Sequence, residues 1–184
     1  MLKSQFQKNL IVAGCDEVGR GCIAGPVVAA AVIMPPDYKN NNIMDSKKLS
    51  PKKREIVEKE IIKNATSWAI ASVSNNTIDK INILNASILA MHRALDKLDI
   101  KPEFILVDGN QFKQYKKLRH ECVIKGDNKY QNIAAASILA KKYRDKLTYD
   151  LSSSFDKYSW ETNFGYPTKK HRESIKEYGV TEYH

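Results

Sequence analysis

The sequence predicts an α/β fold, a mixed central sheet flanked by helices with a small C-terminal helical segment. Short β-branched apolar runs are interleaved with longer stretches whose apolar residues recur at three and four. Their order along the chain is strand, strand, helix, strand, helix, strand, strand, helix, helix, which suits a helix-covered sheet and neither a sandwich nor a bundle. No repeat, low-complexity tract or linker divides the 184 residues. A chain of this length buries roughly 70 % of the surface its unfolded form exposes, enough for one core. Residues 1–184 therefore read as a single domain, with 150–184 a helical segment packed on it.

Leu10 to Cys15 and Gly25 to Met34 (GPVVAAAVIM) are apolar on both faces and read as two buried strands forming a hairpin. Pro35-Pro36 stops the second. Ser50 followed by Pro51 supplies an N-cap and a proline at the first helical position, opening a helix to about Lys63. Thr66 to Val73 is a third strand. Ile81, Leu84, Ile88, Met91, Leu95 and Leu98 form one apolar stripe on a helix that begins at Ile81. Phe104 to Val107 and Cys122 to Ile124 are short strands. Gln131 to about Tyr149 is a helix whose small residues Ala134 to Ala136 permit close packing, and Thr168 caps a last helix that Gly179 ends.

Lys and Arg number 30 against 21 Asp and Glu, a net charge of +9. Such an excess points to an anionic partner, most often a nucleic acid, although a solvated lysine-rich surface produces the same count. Cys15, Cys22 and Cys122 are odd in number, form no CxxC pair and sit in apolar stretches, so they are expected as buried reduced thiols of a cytoplasmic protein. The N-terminal MLKSQFQKNL lacks a signal-peptide pattern and no window approaches 18 apolar residues, which argues against secretion and against a membrane partner.

Acids recur where strands end. VAGCDE, ILVDG and VIKGD each run an apolar strand into an acid beside glycine, so three strand ends could gather Asp16, Glu17, Asp108 and Asp127. Two carboxylates ~4 Å apart repel by ~4 kcal/mol at an effective dielectric near 20, so the cluster calls for a cation. With no His or Cys nearby, the all-oxygen set suits Mg²⁺ or Mn²⁺. Asp16 and Glu17 are adjacent and should point to opposite faces, so one of them needs a bulge or twist, or acts through its carbonyl. The plain alternative for Asp108 and Asp127 is turn chemistry beside glycine.

Gly19-Arg20-Gly21 misses both the dinucleotide and the P-loop spacings, but its glycines let backbone amides approach a ligand, and Arg20 offers a forked donor for phosphate. The basic run Ser46 to Arg54, with Lys47, and the group Lys141, Lys142 and Arg144 read equally as solvated faces or phosphate contacts. His92, His120, His171 and His184 share no metal-ligand spacing and are assigned to structure or surface. Tyr166 lies in an extended turn before Pro167, packed or stacking on a sugar or base.

Taken together, DEVGRG at 16–21 with AGPVVAAAVI, DSKKLS at 45–50, LVDG at 106–109, KGD at 125–127, IAAASILAK with YRD at 133–145 and GYPTKKH at 165–171 resemble the bacterial ribonuclease HII family in order and content. The resemblance implies an RNase H-like fold and Mn²⁺- or Mg²⁺-dependent hydrolysis of RNA in RNA/DNA hybrids, including cleavage 5′ of a single ribonucleotide in duplex DNA, by a monomer. It implies that Asp16, Glu17, Asp108 and Asp127 are the catalytic metal ligands. Gly19, Arg20 and Gly21 would sense the 2′-hydroxyl, Tyr166 would stack at the junction, and Lys47 would contact phosphate. The family usually continues past a segment like GVTEYH with a basic tail, whereas the sequence here stops at His184. Two other readings stay open on the residues alone: a different RNase H-like nuclease or strand-transfer enzyme without ribonucleotide selectivity, and a non-catalytic nucleic-acid-binding module.

Overall fold

The computed structural model describes the chain except Met1, Gln5, Gln7, Lys8, Asp45, Lys47 and Lys48. Its elements are β1 (Val12–Val18), β2 (Val27–Ile33), α1 (Pro51–Asn64), β3 (Ser67–Val73), α2 (Asn75–Ile81), α3 (Ile83–Asp96), β4 (Phe104–Asp108), β5 (Arg119–Val123), α4 (Gln131–Ser152), α5 (Trp160–Asn163) and α6 (Lys169–Tyr178). The sheet order is β3-β2-β1-β4-β5. β1 pairs antiparallel with β2 and parallel with β4, and β5 extends the parallel half. The carboxyl ends of β1, β4 and β5 therefore emerge at one rim.

Strand β2 shows why the expected hairpin is apolar throughout. Val27, Ala29, Ala31 and Ile33 enter one cluster with Ala86, Ala90 and Met91 of α3, while Val28, Ala30 and Val32 enter another with Val57 and Ile61 of α1 and Ala134–Ala136 of α4. Helices on both faces leave no side of the strand for polar residues. Close approach of α4 to β1 depends on Gly14, where a Cβ would lie 2.3 Å from the Asn132 carbonyl carbon. Any side chain there would push the helix, and with it Ser137 and Lys141, away from the rim.

Helix α1 begins as the sequence indicates, with the Ser50 side chain accepting from Lys53 N–H at 3.3 Å and Pro51 at the first position. Four boundaries differ. The ladder of β1 continues to Val18, so Asp16 and Glu17 sit within the strand opposite Ala30 and Ala29 rather than beyond it. The stripe expected on one helix is split at Asn82, whose φ of 65° and ψ of 165° end α2 and whose side chain caps α3 by accepting from Asn85 N–H. β5 starts at Arg119, earlier than its apolar residues suggest, because it is an edge strand of which only Val123 is buried. α4 runs on to Ser152. Of the cysteines, Cys15 is buried but Cys22 and Cys122 are only partly so, since one lies in a loop and the other on that edge strand.

Candidate active site

A cleft of about 400 Å³ opens at the rim and is lined by Asp16, Glu17, Val18, Ser46, Asp108, Asp127, Ser137, Lys141 and Tyr166. The parallel order of β1, β4 and β5 brings all four acids to it. Asp16 and Glu17 reach the same cleft without a bulge, the register of β1 against β2 being unbroken from Gly14 to Val18. Asp16 is on the α4 face of the sheet and Glu17 on the other, but both lie at the rim, where the cleft reaches each face.

Asp16 is 6 % exposed. It accepts from Glu17 N–H at 2.7 Å and also bonds Ser137. Burial first, then the charges of Glu17 and Asp108, hold its carboxyl well above the usual carboxylate range. Burial also raises Glu17, opposed by Arg20, whose Nη1 lies 3.1 Å from Glu17 Oε1. The other oxygen, Glu17 Oε2, is buried without a partner. Asp108 Oδ1 accepts from Gly126 N–H at 2.6 Å, tying the end of β4 to the turn that carries Asp127. That turn is a short 3-10 segment entered through Lys125 at φ 55°, and Asn128 Nδ2 donates to Asp127 Oδ1 at 3.0 Å.

Among the described residues no three acidic, His or Cys side chains converge tightly enough to form a closed metal cage. Mutual repulsion explains an open arrangement, because like charges held in a partly buried cleft separate unless a cation lies between them. An orphaned buried carboxylate oxygen, two raised carboxyls and an all-oxygen donor set fit a hard divalent ion. The cleft therefore has the donor chemistry that such an ion would require.

Tyr166 lies against the Gly19-Arg20-Gly21 loop. Gly19 is buried with φ 105°, and a Cβ there would meet Arg144 Nε at 2.5 Å, so glycine is demanded by the loop's own packing. Gly21 is exposed, and its added Cβ would meet only Tyr166 Cε1, at 3.9 Å, an ordinary contact. The space above Gly21 is open. Burial raises the Tyr166 phenol. Lys47 lies outside the described residues; its neighbours Ser46 and Leu49 are fixed by Arg54, which donates to both their carbonyls.

Two residues of the cleft were left ambiguous or unread in the sequence. Ser137 bonds both Asp16 and Ser46. Lys141 pairs with Asp145 at 2.7 Å and stands 5.6 Å from the centre of the Tyr166 ring. The signal was available: Ser137, Lys141, Arg144 and Thr148 repeat at four, three and four on α4, a polar stripe where a core-facing stripe should be apolar. Ser137, Arg144 and Thr148 are buried. His171 is fully buried and bonds Trp160 and Tyr166, a structural role as expected.

The family model for Ribonuclease HII matches residues 13–184. Ribonuclease HII of Phocaeicola vulgatus is 54 % identical over 184 residues, covering 100 % of this chain and 92 % of that protein. Ribonuclease HII of Bacteroides fragilis is 55 % identical with the same coverage. The crystal structure of ribonuclease H2 from Pyrococcus horikoshii OT3 superposes with a TM-score of 0.78 at 26 % identity, covering 92 % of this chain and 89 % of that one. Among the described residues no helix is long and apolar enough to cross a membrane.

Proposed function

This chain belongs to the ribonuclease HII family and is a nuclease with an RNase H-like fold, and on that premise we propose that it hydrolyses the RNA strand of RNA/DNA hybrids and cuts 5′ of single ribonucleotides in duplex DNA. The observation that carries the reading is the convergence of Asp16, Glu17, Asp108 and Asp127 with Tyr166 on one cleft. A pair of divalent ions, Mn²⁺ or Mg²⁺, would supply a water activated for in-line attack at phosphorus and neutralise the leaving 3′ oxygen, giving 5′-phosphate and 3′-hydroxyl ends.

The chain's own residues do the rest. Asp16 and Asp108, from neighbouring parallel strands, would hold the ions, with Glu17 offering its unpartnered oxygen and Asp127 completing the set from the turn after β5. Lys141, on the helix beside them, offers a cation to the phosphate being cut. Gly21 leaves room for a sugar edge, and the backbone of the Gly19-Arg20-Gly21 loop can meet a 2′-hydroxyl, the one group that separates ribose from deoxyribose. Tyr166 stacks on the next sugar and selects one lacking that hydroxyl.

A duplex carrying one ribonucleotide, incubated with and without Mn²⁺ or Mg²⁺, tests the reading by mapping the cut. Metal-dependent cleavage at the 5′ side of the ribonucleotide is expected; uncut duplex, or cutting independent of the ribonucleotide, overturns it.

A further inference from the structure

Arg144 is fully buried. Among the described residues it has no carboxylate partner; its donors go instead to three backbone carbonyls. Nε donates to Pro26 O at 3.0 Å, Nη2 to Ala24 O at 2.9 Å and Nη1 to Phe164 O at 2.7 Å. A buried cation is unfavourable unless its donors are satisfied, and a fork serving carbonyls from two distant segments has a geometric consequence. Ala24 and Pro26 lie just after the Gly19-Arg20-Gly21 loop, and Phe164 lies two residues before Tyr166.

The same junction is braced elsewhere. Ile23 N–H donates to Gly165 O at 2.9 Å. Gly19 and Gly165 both have positive φ; added Cβ atoms would stand 2.5 Å from Arg144 Nε and 3.4 Å from Arg144 Nη2. Glycine at 19 is what admits the guanidinium, and glycine at 165 is what admits the Ala24 carbonyl, which a Cβ would meet at 2.5 Å. The guanidinium carbon is 6.0 Å from the centre of the Tyr166 ring.

We propose that Arg144 is a positioning residue that locks the Gly19-Arg20-Gly21 loop and the Tyr166 turn into one rigid unit, setting the gap between Gly21 and Tyr166 and so the preference for a ribonucleotide followed by a deoxyribonucleotide. The inference rests on the junction-reading role assigned above. Arg144 acts through these two segments and bonds none of the four acids.

The test compares kcat and KM of the full chain in Mn²⁺ on a single-ribonucleotide duplex and on a long RNA/DNA hybrid. Arg144→Lys keeps the charge but cannot span three carbonyls, and Arg144→Gln keeps part of the fork without charge. The ratio of kcat/KM between the two substrates should fall by about tenfold or more in Arg144→Lys, with the loss chiefly in kcat on the single-ribonucleotide duplex, because small misplacements of substrate are costly. A folded Arg144→Lys with the wild-type ratio overturns the proposal. Should neither variant fold, amide exchange of the wild-type protein decides: Ile23, Gly25, Gly165 and Tyr166 should open together, and independent opening of the two segments overturns it. If Tyr166→Ala also keeps the wild-type ratio, the junction reading itself has failed; if Tyr166→Ala loses it and Arg144→Lys does not, only this inference has.

Discussion

Asp108 Oδ1 and the Gly126 amide lie 2.6 Å apart, so one carboxylate of the cleft also fixes the turn that presents another, Asp127. The two functions of Asp108 can be separated. Asparagine retains an Oδ1 acceptor for Gly126 but loses the charge, so Asp108→Asn should fold normally and cut less than a tenth as fast as wild type, a barrier increase above ~1.4 kcal/mol. Asp108→Ala also removes the acceptor and should lower stability by roughly 1–3 kcal/mol as the amide loses its partner. Urea melts beside cleavage rates check both, and an active Asp108→Asn would remove Asp108 from the proposed metal-binding set.

The two glycines of the loop should respond differently to a methyl group. At Gly19, with φ 105° and Arg144 Nε 2.5 Å from the added carbon, alanine should lower the melting temperature, a strained backbone costing on the order of 1–3 kcal/mol. At Gly21 the nearest atom would be 3.9 Å away, so alanine should leave the melting temperature nearly unchanged while slowing ribonucleotide cleavage. Equal melting temperatures for the two variants would contradict the packing described; a Gly21→Ala protein with wild-type cleavage would contradict the open space as a sugar site.

These contrasts also mark what the sequence could reveal. The strands, the Ser50 and Thr168 caps and the recurring acids were legible because each depends on local pattern: apolar runs, cap residues, glycine beside aspartate. The gathering of the acids followed from that recurrence, but the strand pairing that produces it was not legible, because β1, β4 and β5 being parallel neighbours is a property of topology. Nor was the partition of the glycines, since only the placement of Arg144 shows that Gly19 serves packing while Gly21 stays open. β5 exceeds its apolar residues for a physical reason as well, an edge strand with alternating exposure carrying too few of them to announce its start.

Net charge of +9 predicts salt-sensitive binding. In Ca²⁺, chosen to bind without turnover, the logarithm of affinity for duplex should fall linearly with the logarithm of salt, by ~0.9 per phosphate neutralised. Lys47→Ala should reduce the slope by about 1 if Lys47 contacts a phosphate. An unchanged slope would assign that lysine to a solvated face.

Acid should loosen the C-terminal packing through two histidines. Thr181 N–H donates to His184 Nδ1 at 2.9 Å, which leaves the proton of His184 on Nε2, 3.1 Å from His171 Nε2. His171 Nε2 also accepts from Trp160 Nε1–H at 3.0 Å, so its own proton is on Nδ1 and is donated to the Tyr166 carbonyl at 2.9 Å. Both rings are neutral in this network, and protonating either sets N–H against N–H. Burial lowers both, His184 to about 4 with the His171 charge as a further cause. Because the unfolded chain takes up these protons first, stability is full above about 6.5, declines as pH falls toward about 4 through His184, and levels off below it. Asp16 and Glu17, whose carboxyls are raised, act in the opposite sense and favour the folded state as pH falls. The comparison of wild type with His184→Phe isolates the histidine part: the variant should lose less stability between pH 6.5 and 4, measured by urea denaturation at each pH. Parallel curves for the two proteins would show that His184 titrates alike in the folded and unfolded states, and the neutral relay to Tyr166 would then be wrong.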